Sequence, residues 1–406
     1  MSDITVAIVS FPGMNCEVES IRAVERAGMR AMFFRWNDDR AKLNDVDAYF
    51  LPGGFSYEDR GRAGMIAARD PLMEFLKEEA RLGKVVIGHC NGAQILVESG
   101  LIPLGEHLDM ALAPNAKENQ RLGFLSEWVW ITPTCTKERC AVSDWDGAMH
   151  VPIAHGEGRW TLRDRGLLQE LCANHQVAFS YCDAQGKVGE TPMVNPNGSE
   201  LAIAGLCNPS GNVVALMPHP ERTPAGGPYF ASLKLWIERY GNSPARAATP
   251  RRTAPLTRGQ IDHLPRAEVE LFIDTVIVNN EERSVEATLK RFIPDIHLKQ
   301  FRYCALPQNK PHDLLSRVSF FNPNKEVAYI RRNEKIFRWD HTKKSEVPLK
   351  EDGVLSHLML VRYDDYRDNE AVCYALHVGD EESLLSSSRT LEVLCNPHSG
   401  TLYRLL

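Results

Sequence analysis

Residues 84–98, KVVIGHCNGAQILVE, constrain this chain more than any other stretch. The apolar Val85, Val86 and Ile87 and the small Gly88 run straight into His89-Cys90-Asn91-Gly92, and Ile95 and Leu96 follow at helical spacing. That pattern is a strand, a sharp turn and a helix, with a cysteine at the apex. Gly88 and Gly92 lie two residues either side of Cys90, where a missing Cβ lets strand and helix approach closely. The amino end of a helix favours negative charge on the sulfur, which makes Cys90 a candidate nucleophile. A buried core cysteine in a tight turn fits the same letters equally well. The choice depends on whether the chain also supplies a base and an oxyanion hole.

The residues before this elbow alternate strand and helix in the manner of an α/β protein with a mostly parallel sheet. Strands are expected at 4–9, 29–34 and 48–51, with a helix from Glu17 to the break at Gly28. Helices at 63–69 and 71–81 then deliver the chain to the elbow. Pro52-Gly53-Gly54-Phe55 follows the third strand. In open α/β sheets ligands bind at that carboxyl edge, and paired glycines let backbone N–H groups face a site. Past the elbow helix, 101–117 reads as loop, and 125–131 and 148–154 as strands of an antiparallel insertion with His155-Gly156-Glu157-Gly158 as a turn. Strands are also expected at 176–181, 201–206 and 213–216, the last two joined by a hairpin at Asn208-Pro209-Ser210-Gly211-Asn212.

The last of these strands runs into Met217-Pro218-His219-Pro220-Glu221. The two prolines hold the segment extended, so that His219 and Glu221 point to one side and the carboxylate can orient the imidazole. A solvated surface turn is the plain alternative. Taken together, a thiol at an elbow, a Gly-Gly at a strand end and a fixed His-Glu pair are the parts that acyl transfer through a thioester requires.

These residues resemble the class I glutamine amidotransferase family, with its G-x-C-x-G elbow and H-x-E pair. The segments LPGGFSYEDRGRAGMIAA, GHCNGAQIL, VPIAHGEGRW and VNPNGSELAIAGLCNPSGNVVALMPHPER, in that order, are most similar to the glutaminase subunits (PurQ) of phosphoribosylformylglycinamidine synthase. The similarity runs from about residue 6 to 240. It implies a three-layer, flavodoxin-like amidotransferase domain over 1–240, with Cys90 as nucleophile, His219 as base and acid, and Glu221 orienting His219. It further implies Gly53, Gly54 and the Asn91 amide as the oxyanion hole, and Gln94, His155 and Gly156 along the L-glutamine site. Ammonia would pass to an ATP- and Mg-dependent, PurL-like synthetase, with no cofactor or metal in this chain. Glu58 stands where the family often has glycine. His89 replaces a small apolar residue and is expected to pack away from Cys90, in the core or behind the site. Cys16, in Pro-Gly-Met-Asn-Cys, is read as structural, and Cys135 and Cys140 lack zinc-site spacing.

Residues 241–263 read as a linker, its Pro-, Ala-, Thr- and Arg-rich stretch carrying Arg246, Arg251, Arg252 and Arg258. Beyond it, 264–406 reads as a smaller α+β domain with an antiparallel sheet. Strands are expected at 269–278, 296–306, 326–331, 356–363, 371–378 and 390–395, a helix at 281–292, and hairpin turns at Asn322-Pro323 and Asn396-Pro397. Its histidines, His312, His341, His357, His377 and His398, stand apart from one another. The resemblance makes a small bridging subunit (PurS-like), separate or fused in cis as this domain, a further partner. The net charge of −6 gives no electrostatic reason to expect nucleic acid or an anionic membrane as partner. Ten cysteines without a CxxC pair, and a start without a leader pattern, read as a cytoplasmic protein with free thiols.

Overall fold

The computed structural model describes residues 4–241, 261–306, 311–333, 335–349, 355, 358–366 and 371–405. Most of the expected linker, with its four arginines, and His357 lie outside the described residues. The chain divides into two compact units, Met1–Leu256 and Thr257–Leu406. No described helix is long and apolar enough to cross a membrane.

The first unit begins β1 (Thr5–Ser10), α1 (Glu17–Arg26), β2 (Arg30–Arg35), β3 (Ala48–Leu51), α2 (Met65–Ala68), α3 (Pro71–Arg81), β4 (Val85–His89) and α4 (Asn91–Glu98). It continues β5 (Ala111–Pro114), β6 (Ala116–Lys117), β7 (Gln120–Arg121), β8 (Leu125–Pro133), β9 (Met149–His155), β10 (Glu157–Thr161) and α5 (Arg165–Ala173). It closes with β11 (Val177–Cys182), β12 (Ile203–Cys207), β13 (Val213–Leu216) and α6 (Gly227–Tyr240). The main sheet runs β2-β1-β3-β4-β13-β12-β11-β8-β9. It is parallel from β2 through β13 and antiparallel from there on.

The strands near the centre are apolar throughout because helices cover both faces. Ala7, Val9, Tyr49, Leu51, Val86 and Ala215 pack on one side with α3 and α4. Val6, Ile8, Phe50, Val85, Ile87 and Leu216 pack on the other with α1 and α6. This alternation produces the three layers expected of an amidotransferase domain, and it brings the carboxyl ends of β1, β3, β4 and β13 to one edge. Two expectations change locally. The loop-rich 101–117 contains β5, which pairs antiparallel with β10. The residues 155–158 do not reverse the chain: β9 ends in the main sheet and β10 leaves for this second, two-stranded sheet.

The second unit holds β14 (His263–Leu264), β15 (Val269–Thr275), α7 (Asn280–Leu289), β16 (His297–Leu306), α8 (Pro311–Leu315), β17 (Glu326–Arg332), β18 (Lys335–Asp340) and β19 (Ser345–Pro348). There follow β20 (Leu358–Asp364), β21 (Ala371–His377), α9 (Glu381–Ser386), α10 (Ser388–Leu394) and β22 (Gly400–Leu405). Its sheet, β14-β22-β20-β21-β16-β15-β17-β18-β19, is antiparallel apart from the β14–β22 pair. The expected strand at 390–395 is instead helix α10. Ser387 caps it by accepting from the Thr390 N–H, and Leu391 and Leu394 bury at helical spacing, which outweighs the β-propensity of Thr390 and Val393. Asn396-Pro397 accordingly links a helix to β22, and Asn322-Pro323 lies between α8 and β17, so neither joins a hairpin. Glu270 in β15 is buried and bound by Arg331 Nε at 2.6 Å and the Tyr303 hydroxyl at 2.7 Å.

Candidate active site

The site is built where β4 meets α4. Cys90 has φ 49° and ψ −106°, a conformation that L residues avoid and that surrounding structure must impose. Its N–H is held by the Leu216 carbonyl at 2.9 Å, which ties the elbow to the end of β13. The glycines beside it are there for space. A Cβ on Gly88 would lie 2.6 Å from Gly92, and one on Gly92 would lie 2.0 Å from the Leu51 carbonyl oxygen. Cys90 is 4% exposed, and its Sγ faces the Ala154 carbonyl at 3.6 Å.

His219 and Glu221 arrive from the end of β13. Contrary to the extended conformation expected from sequence, the chain is not extended through both. Pro220–Arg222 forms a single tight turn, for which proline's fixed φ is suited at the first position. That turn folds Glu221 back, so its Oε1 meets His219 Nδ1 at 2.6 Å. Both are buried. Burial disfavours the His219 cation, yet the Glu221 carboxylate and the Cys90 and Cys16 sulfurs outweigh it and hold the imidazole well above the usual histidine range. Burial likewise opposes the Glu221 carboxylate, but the two imidazoles His219 and His89 keep its pKa well below the ordinary value.

His89 lies behind the site, as expected. Its Nδ1 meets Glu221 Oε2 at 2.7 Å, and its ring packs against Phe50, Tyr229 and Phe230. One carboxylate thus joins two imidazoles, His219 on the thiol side and His89 on the core side.

The loop after β3 supplies the third wall. A Cβ placed on Gly53 would lie 2.6 Å from His219 Cε1, 3.2 Å from Cys16 Sγ and 3.4 Å from Cys90 Cβ, so three side chains converge on this one residue. Gly54, at φ +145°, pairs with Met14. The Gly53 carbonyl accepts from the N–H groups of Asn15 and Cys16 at 3.3 and 3.2 Å. This lacing of the β1 and β3 loops sets Cys16, read from sequence as structural, buried beside His219. The rule that sites form at the carboxyl edge could have found it, because the Cys16 loop follows the neighbouring strand β1.

The remaining expected residues lie around this centre. Asn91 opens α4, where N–H groups have no partner within the helix. Its side chain accepts from the Ser56 N–H at 2.9 Å and donates to Gln94 Oε1 at 2.9 Å and Asp59 Oδ1 at 3.3 Å. Gln94 is engaged at both ends, its Nε2 donating to the Glu157 carbonyl, and so ties α4 to β10. His155 is buried with Nδ1 3.1 Å from Asn115 Oδ1, its ring lying in the space left by the missing Cβ of Gly158. Burial and the nearby His219 push it down to about 3. The carbonyl of Gly156 accepts from the Asn115 N–H at 2.9 Å. Sequence reading missed Asn115 and also Asp59, whose carboxyl is pushed up to about 7 by burial and the neighbouring Glu157.

Residues 3–227 match the model of a CobB/CobQ-like glutamine amidotransferase domain. Among curated proteins, the phosphoribosylformylglycinamidine synthase subunit PurQ of Methanothrix thermoacetophila is 42% identical over 256 residues, covering 57% of this chain and 98% of the relative. The subunit of the same name from Pyrococcus furiosus is 39% identical over 217 residues, covering 53% of this chain and 87% of the relative. A solved structure of PurLQS from Thermotoga maritima has 30% identity, covers 59% of this chain and 99% of that chain, and has a TM-score of 0.46.

Proposed function

Because the chain belongs to the CobB/CobQ-like glutamine amidotransferase family, we propose that it is the glutamine-hydrolysing subunit of a phosphoribosylformylglycinamidine synthase, the activity its curated relatives are named for. The Cys90 sulfur attacks the γ-carboxamide carbon of L-glutamine. The carbonyl oxygen takes the negative charge and is held by backbone N–H groups of the Gly53-Gly54 loop and Asn91. His219 gives its proton to the departing nitrogen, and ammonia leaves as the C–N bond breaks and a γ-glutamyl thioester remains. His219 then takes a proton from water, which attacks the thioester to release glutamate and restore the thiol. Glu221 holds the imidazole in the tautomer and orientation both steps need and stabilises its cation.

The observation that carries this reading is the convergence of Cys90, His219 and Cys16 on Gly53 with Glu221 bound behind His219. The ammonia goes to an ATP- and magnesium-dependent synthetase partner of PurL type. In the reconstituted pair, Cys90→Ala abolishes glutamine-dependent synthesis of the amidine while added ammonia still supports it. Loss of both activities together, or retention of both, refutes the assignment.

A further inference from the structure

The proposed hydrolysis uses Cys90, His219 and Glu221 and leaves Cys16 without a task. Cys16 is nonetheless 3% exposed and set against the reacting groups. One ligand atom each of Cys16, His219 and Glu221 lie within 4.8 Å of one another, a cluster that stands out among the described residues. Cys90 reaches the same space, since the Cβ direction of Gly53 points at Cys16 Sγ, the His219 ring and Cys90 Cβ together. His219 Nε2, the ring nitrogen turned away from Glu221, is buried and makes no hydrogen bond.

Two thiols and an imidazole nitrogen are the donor set that zinc and cadmium prefer. Tetrahedral coordination at Zn–S of about 2.3 Å and Zn–N of about 2.0 Å places ligand atoms roughly 3.3–3.8 Å apart. Cys90 Sγ is not among the clustered atoms of Cys16, His219 and Glu221, so the Cys90 side chain must rotate to bring its sulfur beside Cys16 Sγ and His219 Nε2. Glu221 already makes the contact that a zinc-bound histidine needs on its far nitrogen, a carboxylate fixing the tautomer and raising ligand basicity.

We propose that Cys16, Cys90 and His219 form an inhibitory site for a soft divalent cation, with Glu221 supporting the imidazole. The ion displaces the thiol protons and occupies the sulfur that would attack glutamine, so binding and hydrolysis exclude each other. Cys16 is the specific element. It adds a second thiolate to a Cys-His pair that alone would hold such an ion weakly, and it makes the active centre a reversible sensor of free zinc. The inhibitory consequence rests on the glutaminase reading; the binding itself does not.

Two measurements on the full chain separate these. Cobalt(II) titration reads binding without reference to activity: one equivalent should develop a thiolate-to-cobalt charge-transfer band, with zinc displacing it. Cys16→Ser should weaken cobalt binding at least 10-fold, and so should Cys90→Ser, whereas Cys172→Ser, at an exposed cysteine outside the site, should not. Equal affinity in Cys16→Ser and the parent, or no stoichiometric band in the parent, overturns the site. Labelling of Cys90 by a glutamine-analogue electrophile supplies the second readout. Zinc should block labelling of the parent near stoichiometry, with about 10-fold more needed in Cys16→Ser and in Cys16→Ala. An unchanged zinc requirement in both variants overturns the proposal. Failure of the metal-free parent to label refutes the glutaminase reading instead, while the cobalt titration still decides the site. Circular dichroism of each variant, matching the parent, excludes misfolding as the cause.

Discussion

Gly53→Ala tests the active centre with a single carbon. The added Cβ would sit 2.6 Å from His219 Cε1 and 3.2 Å from Cys16 Sγ. Carbon atoms in contact rest at about 3.5–4.0 Å, so the imidazole must retreat by about 1 Å or the loop after β3 must move by as much. The Gly53 backbone does not have a positive φ, so alanine brings steric demand without conformational strain. Overpacking of this kind costs roughly 1–3 kcal/mol of stability. A displacement of about 1 Å in a catalytic group costs about 10²-fold in rate. Both routes of relief damage the same geometry, because the loop is itself the proposed oxyanion wall. The expected result is therefore a loss of about 10²-fold in glutamine hydrolysis and in Cys90 labelling, with ammonia-dependent synthesis by the assembled enzyme unchanged. Gly227→Ala is the matched control: its Cβ would meet nothing within 4 Å, at the first turn of α6. Hydrolysis by Gly53→Ala within about threefold of the parent would refute the claim that His219, Cys16 and Cys90 converge there.

Glu221→Gln should lower glutamine turnover by about 10⁴-fold, the scale seen when a triad carboxylate is replaced by its amide. It should also shift the alkaline limb of the pH–rate profile to lower pH, because the carboxylate that holds His219 protonated is gone. His155, pushed down to about 3 in the folded chain against about 6.5 for an ordinary imidazole, makes the first unit acid-sensitive. Between these values the unfolded state binds the extra proton, so stability is full above about pH 6.5 and falls as pH drops, by about 1.4 kcal/mol per unit. Urea midpoints measured from pH 7 to 5 should show this slope, reduced in His155→Gln. Arg331→Met should destabilise the second unit by about 3–5 kcal/mol by stranding the buried Glu270, although the Tyr303 hydroxyl still donates to it. Adding Glu270→Gln should recover most of that loss in thermal unfolding.

The elbow and the His-Glu pair were readable because each is encoded by neighbours in sequence. Gly88 and Gly92 announce the close approach that the Cys90 turn requires, and Pro220 shapes the turn that carries Glu221 to His219. The place of His89 was also readable, since a residue next to Cys90 on a strand must point elsewhere. Its bond to Glu221 was not, because that contact joins residues 132 apart. The position of Cys16 beside His219 was not readable for the same reason: hydrogen bonds from two N–H groups to the Gly53 carbonyl bring it in, and no local pattern in Pro-Gly-Met-Asn-Cys encodes them. In the second unit, 390–395 was read as a strand because Thr390 and Val393 favour one locally, while the Ser387 cap and buried leucines decide for a helix.

The departure at Glu58 shows how loop and elbow depend on one another. Tyr57, Glu58 and Asp59 have φ of 52°, 59° and 53°, three consecutive non-glycine residues in the left-handed region. Each costs of order 1 kcal/mol or more and persists only if its surroundings over-determine it. Here they do. The Tyr57 N–H donates to the Pro12 carbonyl at 2.7 Å and the Glu58 N–H to the Phe55 carbonyl at 2.8 Å. At its ends the segment is fastened to Asn91, which accepts from the Ser56 N–H and donates to Asp59. Asn91 is also the residue whose N–H is proposed to face the oxyanion. The strained loop is therefore fastened by the side chain of the residue that follows the strained Cys90, so relaxing either would shift the thiol and the oxyanion wall relative to one another. The Gly53-Gly54 loop, the elbow and the β1 loop carrying Cys16 consequently form one mechanical unit at the carboxyl edge of the sheet, and neither strained element can be substituted without registering at the nucleophile.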